Sequence, residues 1–399
     1  MSHVLVVNSG SSSIKYRLLD MAAQRPIAWG IADRIGEDGG ELTHRRPGTD
    51  PHVRPGPFAD HEAGLSAVLD AFGEAGPDLS GIELAAVGHR VVHGGDRFVR
   101  PAVVDDAVMR AVEELAPLAP LHNPANLEGI RVARKSFPDV PHVAVFDTAF
   151  HSTLPPAAHT YAVPGTWRTE YGVRRYGFHG TSCAYVTRRA AAWLGRDPEQ
   201  VNLIVLHLGN GASATAVAGG RSVDTSMGMT PLEGLVMGTR SGDIDPSLPG
   251  YLAREAGLTA GEVDTALNRE SGLLALAGAN DMREVRRRAA AGESGAALAL
   301  EVYAHRVRKY VGAYYAVLGR VDAVVFTAGV GEHDARLRED ALRGLDALGL
   351  AVDPERNAAD SGEEREVSPP GARVPVLVVP TDEEWEIAVE AVALVEGRR

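Results

Sequence analysis

Cysteine is nearly absent from this chain of 399 residues, with Cys183 the only one. An internal disulfide is therefore excluded, and the usage fits a reducing, cytoplasmic compartment. Standing alone, Cys183 reads as a buried thiol rather than a nucleophile. Lysine is almost as scarce, at three residues (Lys15, Lys135 and Lys309) among 40 basic ones. A lone arginine thus carries little information and counts only inside a motif. Positive charge is in deficit: 53 acidic residues leave a formal net charge of −13. That argues against nucleic acid or an anionic membrane as the main partner, since both need a basic face. A small anionic substrate needs only a local basic pocket and stays allowed. No apolar run approaches the roughly 18 residues a membrane span requires. The N-terminus shows neither the basic nor the long apolar region of a signal peptide, and none is expected.

What the chain does have is two glycine-rich turns. Val4-Leu5-Val6-Val7 reads as a buried strand and Tyr16-Arg17-Leu18-Leu19 as its return. Between them, Asn8-Ser9-Gly10-Ser11-Ser12-Ser13-Ile14-Lys15 offers backbone N–H groups, three consecutive hydroxyls and a lysine. Such a turn is either an ordinary polar hairpin or a cradle for phosphate oxygens. It is not a Walker A loop, whose glycine and lysine spacing is missing. About half a chain later the plan recurs. Leu203–Leu208 is a strand, Gly209-Asn210-Gly211-Ala212-Ser213 a turn, and Ala214–Val217 a strand closed by Gly219-Gly220. A dinucleotide fingerprint would require a helix after these glycines; the small and β-branched residues that follow predict a hairpin. The length allows two domains of roughly 150–200 residues. We read the repeat as two domains with a duplicated core, facing each other across a cleft.

The remaining pattern is α/β with mixed sheets. Strands are expected at 83–87, 142–146, 321–327 and 374–379. Helices are expected from an Asn123-Pro124 cap to Ser136, from a Thr181 cap to Leu194, over Ser294–Leu318, from Asp334, and over Glu383–Glu396. Segments 39–57 and 360–371 read as surface loops, and 148–160 as the linker. The domains are expected to be 1–150, with helix 384–399 packing back on it, and 151–383.

Five further segments put glycine beside charged or histidine residues after apolar runs, where α/β folds place ligand sites. They are Gly88–Gly95, Phe146–His151, Tyr176–Ser182, Gly238–Asp243 and Gly329–Glu332. Any one could be structural; their joint occurrence is the signal. Together with Leu121-His122-Asn123-Pro124, Asp281-Met282-Arg283 and Pro380–Glu384, and with the two hairpins, they run in order along the whole chain. On these motifs the chain resembles the acetate and propionate kinase family of the actin-like ATPase superfamily.

The resemblance implies a two-domain actin-like fold with a duplicated core, a homodimer, and ATP-dependent, reversible phosphorylation of a short carboxylate to its acyl phosphate, acetate to acetyl phosphate first among them. It implies ATP or ADP with Mg²⁺, Mn²⁺ being an admissible substitute. By the same resemblance Arg90 binds the carboxylate, Arg240 steadies the transferring phosphoryl oxygens, His179 is a further donor, His122 plays a supporting part, and Asp147 is the catalytic acidic residue. Asn8 and Glu383 match the metal positions. Phosphates are assigned to Ser11, Ser13, Lys15, His207, Leu208, Gly209, Asn210 and Gly211. Adenosine is assigned to Asp281, Met282, Arg283, Gly329, Val330, Gly331, Glu332 and His333. Val92, Leu121, Phe178 and Pro231 match a small apolar pocket for the acid. The chain departs from the family pattern at His333, where asparagine is usual, which leaves nucleotide preference open.

Chemistry is consistent with these assignments. Acetate is already ionised at pH 7, so its phosphorylation needs no general base. It needs positive charge to bring two anions together, and arginine forks supply that bidentately. Asp147 is therefore expected to orient Arg90 or a metal-bound water rather than to move a proton. The alternatives are a propionate or butyrate kinase, a nucleotide-gated switch, and an inactive homologue.

Overall fold

Val4, Leu5, Val6 and Val7 are all buried because the first strand is covered on both faces. In the computed structural model, which describes residues 2–120, 122–359 and 361–397, Val4 and Val6 pack on Ile387, Ala388 and Ala391 of the last helix, Glu383–Val395. Leu5 and Val7 join Leu65, Val68 and Phe72 of helix His61–Ala75, with Val132 and Ala133 of helix Asn123–Ser136. The period-two pattern thus fixes which side chain meets which helix.

The chain divides into two compact units, 1–150 with 382–399, and 151–381. The first holds β1 (His3–Ser9), β2 (Ser13–Asp20), β3 (Arg25–Asp33), β4 (Glu41–Arg45), β5 (His52–Pro55), β6 (Leu84–Val91), β7 (Ala102–Val103) and β8 (His142–Phe146). They form one mixed sheet in the order β5-β4-β3-β2-β1-β6-β8-β7. The second holds β9 (Asn202–Leu208), β10 (Ala212–Ala218), β11 (Arg221–Thr225), β12 (Ala323–Thr327), β13 (Arg365–Glu366) and β14 (Val376–Val378), in the order β11-β10-β9-β12-β14-β13. Helix Ser294–Leu318 packs on β9 and β10, and helix Gly180–Trp193 on β9 and β12.

The two sheets share a five-strand core. β1 pairs antiparallel with β2 and parallel with β6, while β2 continues to β3 and β6 to β8. β9 pairs antiparallel with β10 and parallel with β12, while β10 continues to β11 and β12 to β14. The same senses in the same order make the core a duplication.

Several expectations need correction. Segment 39–57 carries the edge hairpin β4–β5, in which Leu42 and His44 are buried. Asn123 does not cap its helix; its amide bonds the backbone of His93 in both directions, and His122 holds the cap position. His179, not Thr181, precedes helix Gly180–Trp193. Residues 328–333 form a short helix of their own, followed by one that Asp334 caps. The second boundary falls before Asp382, which caps the last helix through the Trp385 N–H and ion-pairs Arg17.

One buried pair in the first unit sets an acid limit on stability. His142 Nε2 lies 3.0 Å from the Phe137 carbonyl, which can only accept, so its Nδ1 is left to accept from His89 Nε2 at 2.9 Å. Burial lowers the proton affinity of both rings, and each is neutral. The unfolded chain takes up these protons as pH falls through about 6.5 and the folded chain does not, so stability is lost below that pH. Melting temperature should therefore fall between pH 6.5 and 5, and His89→Gln should flatten that slope; an unchanged slope contradicts the assignment.

Candidate active site

In the first unit, β6 and β8 deliver Arg90 and Asp147 to neighbouring strand ends, and the last helix starts with Glu383. Asp147 is buried and engages one edge of the guanidinium: Nε donates to Oδ1 at 3.2 Å and Nη2 to Oδ2. Glu383 lies 3.8 Å from Nε. Burial opposes the charge on Arg90, but Asp147 and Glu383 outweigh it and hold the proton more tightly. Burial pushes Glu383 up to about 7, with Arg90 opposing the shift and Asp147 adding to it. Two carboxylates thus share one guanidinium, a local excess of negative charge. The expected metal residues Asn8 and Glu383 fit a hard cation on chemistry: oxygen donors, one of them a carboxylate whose ionised form lacks compensation. Among the described residues no group of three or more His, Cys, Asp or Glu side chains forms a dedicated cage, consistent with an ion that keeps waters and shares phosphate oxygens.

Lys15 sits opposite Asn8 in the β1–β2 pairing and is itself exposed on an otherwise largely buried return strand. Gly10 closes the turn by donating to the Ser13 carbonyl at 2.7 Å, leaving Ser11 exposed. The chain after β6 is held by two asparagines that motif reading missed as a pair. Asn126 Oδ1 accepts from the Val92 N–H at 3.0 Å, and Asn123 Oδ1 from the His93 N–H at 3.1 Å. The signal was present: their i, i+3 spacing places both on one buried helix face. Val92 is buried and His122 exposed, and Leu121 lies outside the described residues.

In the second unit, the Gly209–Gly211 turn joins β9 to β10. A Cβ on Gly211 would lie 2.6 Å from Arg240 Nη2 and 3.3 Å from His179 Nε2, so only glycine lets both side chains close on the turn. Arg240 Nη1 donates to the Pro231 carbonyl at 2.7 Å. Among the described residues no carboxylate pairs with Arg240, and burial lowers its proton affinity. A half-buried, uncompensated guanidinium is a receptor for an anion. His179 takes a left-handed backbone, φ 56°, an arrangement that costs about 1–3 kcal/mol and clusters at functional sites. Its ring stacks on that of His207. Phe178 beside it is buried.

A cavity of about 730 Å³ opens beside this turn. Gly209, Asn210, Gly238, Asp281, Met282, Arg283, Gly329, Val330 and His333 line it, with Leu273 and Tyr303 among its apolar walls. Gly238 is required there, since a Cβ would fall 2.0 Å from Asn210 Oδ1. Leu208 and Gly331 lie behind the lining, buried, and Glu332 accepts the Thr381 N–H at 3.1 Å. The volume and the mixture of apolar wall and polar rim suit a ligand of nucleoside size. Cys183 is buried beside Thr215, the structural thiol expected.

The model of the acetokinase family matches residues 3–389. An acetate kinase of Streptomyces avermitilis is 60% identical over 396 residues, covering 99% of this chain and 98% of the relative. The crystal structure of an acetate kinase from Porphyromonas gingivalis superposes with a TM-score of 0.94 at 42% identity, covering 99% of this chain and all of that one. A propionate kinase structure from Francisella tularensis gives 0.92 at 40% identity, over 98% and 99% of the two chains. The duplicated core is accordingly that of the actin-like ATPase fold, and the chain belongs to the acetokinase family.

Proposed function

We propose that this enzyme transfers the γ-phosphoryl group of ATP to acetate, reversibly, giving acetyl phosphate and ADP. The observation that carries this reading is the uncompensated Arg240 guanidinium closing, with His179, on a glycine turn beside a nucleoside-sized cavity. Relatives at 56–60% identity that bear the name acetate kinase support the same acceptor.

The chemistry follows from the side chains. A carboxylate oxygen of acetate forms a bond to phosphorus as the bond to the ADP oxygen breaks, and no proton moves. Arg90 offers its outer edge to acetate, because Asp147 already occupies the Nε side of the fork. Asp147 is thus an orienting residue for Arg90 rather than an acid or base. Arg240 and His179 donate to the phosphoryl oxygens, whose charge is spread over three positions in transfer. The β-phosphate rests on Gly209–Gly211, and the family resemblance assigns phosphate binding to the serine-rich hairpin and Lys15 as well. Adenosine fills the cavity between Asp281–Arg283 and Gly329–His333. Asn8 and Glu383 would hold Mg²⁺, which when bound neutralises phosphate charge; Mn²⁺ meets the same ligand requirement.

The family resemblance assigns Val92, Phe178 and Pro231 to limiting the acid's length. A methylene is worth about 1–3 kcal/mol in such a pocket, so propionate is a poorer but accepted substrate. Val92→Ala should raise kcat/KM for propionate relative to acetate several-fold; equal ratios in the two proteins would remove Val92 from the pocket. Exposed Trp167, Tyr171 and Tyr251 on the second unit favour a homodimer, which light scattering tests. The family resemblance and the single thiol favour a cytoplasmic location. Acetate-dependent formation of acyl hydroxamate in hydroxylamine tests the reaction itself. ATP hydrolysis unaffected by acetate, with no hydroxamate, would replace it by a nucleotide-gated switch.

A further inference from the structure

His179 and His207 stack with ring centroids 4.1 Å apart and planes 23° apart. Each ring has its Nδ1 held by a serine hydroxyl. His207 Nδ1 lies 2.8 Å from Ser182 Oγ, and His179 Nδ1 lies 3.1 Å from Ser213 Oγ. Each turns Nε2 toward the glycine turn: a Cβ on Gly211 would lie 3.3 Å from His179 Nε2, and one on Gly209 3.9 Å from His207 Nε2. Both serines are fully buried. Ser182 Oγ is tied in turn to Thr381 Oγ1 at 2.7 Å. Thr381 is the last residue of the second unit, and its N–H is fixed by Glu332 Oε1.

A hydroxyl has one proton to give, so the chain Thr381–Ser182–His207 runs in one of two directions. If Thr381 donates to Ser182 and Ser182 to Nδ1, the imidazole proton sits on Nε2, aimed at the turn. If the direction is reversed, Nδ1 keeps the proton and Nε2 presents a lone pair to the same place. An anion on the turn is attracted by the first arrangement and repelled by the second. The same choice applies to Ser213 and His179.

We propose that Ser182, backed by Thr381, and Ser213 are positioning residues that hold His207 and His179 as Nε2–H tautomers directed at the bound phosphate. This rests on the assignment of phosphate to Gly209–Gly211, but the tautomers can be read without substrate. The serine that motif reading took as part of a turn is, on this account, the group that decides whether a neighbouring ring donates or accepts.

Heteronuclear NMR of the imidazole nitrogens tests it in the whole chain, with kinetics alongside. Wild type should show both rings protonated at Nε2. Ser182→Ala should give a tautomer mixture at His207 alone and raise KM for ATP about tenfold with kcat within about twofold. Ser213→Ala should disturb His179 alone and lower kcat about tenfold. Thr381→Val should reproduce the Ser182→Ala signature and Thr381→Ser should restore wild type, which keeps the test open if Ser182→Ala fails to fold. Protonation at Nδ1 in wild type, or unmoved tautomers in Ser182→Ala and Thr381→Val, would overturn the proposal. Nε2–H tautomers disturbed as described, in a protein that forms no acyl phosphate, would support the positioning and sink only the acetate reading.

Discussion

Replacing Arg240 by alanine is expected to lower kcat for acetyl phosphate formation by about 10³-fold or more, the range for removing an arginine that stabilises a transferring phosphoryl group. The same change should leave the melting temperature unchanged or raise it. Both effects come from one feature. Arg240 is partly buried, donates to the Pro231 carbonyl and pairs with no carboxylate among the described residues, so the resting protein carries the cost of a desolvated charge. That cost is useful only when an anion arrives. Arg240→Lys should recover little, because an ammonium cannot present the planar fork that meets Pro231 and the turn together. Steady-state kinetics and thermal melts on the two variants check this. A kcat within tenfold of wild type, or a melting temperature lowered by many degrees, would mean that Arg240 is structural.

Arg90→Ala should behave in the opposite way on stability. It removes the carboxylate-binding edge, and kcat/KM for acetate should fall by more than about 30-fold, or about 2 kcal/mol of transition-state stabilisation. It also strands Asp147, which is buried, and Glu383 without their shared cation. Breaking such a pair by removing one partner costs about 3–5 kcal/mol. The variant should therefore melt well below wild type. Adding Asp147→Asn should recover much of the lost stability but none of the activity. A double variant no more stable than Arg90→Ala would show that Asp147 is not held mainly by this contact.

The contrast between these two arginines was not visible in the sequence. Both stand in glycine-flanked motifs, and 37 arginines in the chain give no way to tell a paired one from an unpaired one. Pairing is set by strand register: Arg90 on β6 meets Asp147 just past β8 because Val91 lies opposite Phe146. The motifs themselves were legible, because each needs a run of unusual composition, and the hairpins at Gly10 and Gly209 fell where their small residues placed them.

The misreadings have local causes. Segment 39–57 is rich in glycine, proline and charge, which hid a short edge hairpin whose alternation spans only Leu42 and His44. Thr181 was taken as a helix cap because hydroxyl residues usually are. The cap is instead His179, in a left-handed backbone rather than the extended one usual at that position. A similar reading from composition placed Ser213 in a glycine-rich turn and Ser182 in the helix after its cap, with no role for either. The buried contact of Ser182 to the His207 ring depends on β9 and helix Gly180–Trp193 packing together, which is long-range information.

Phosphorus NMR of the protein with ATP, acetate and Mg²⁺ tests the central claim most directly. The account predicts that the γ-phosphate signal is replaced by acetyl phosphate and ADP, and that omitting acetate leaves ATP intact. Release of inorganic phosphate at the same rate with and without acetate, and no acyl phosphate signal, would contradict it.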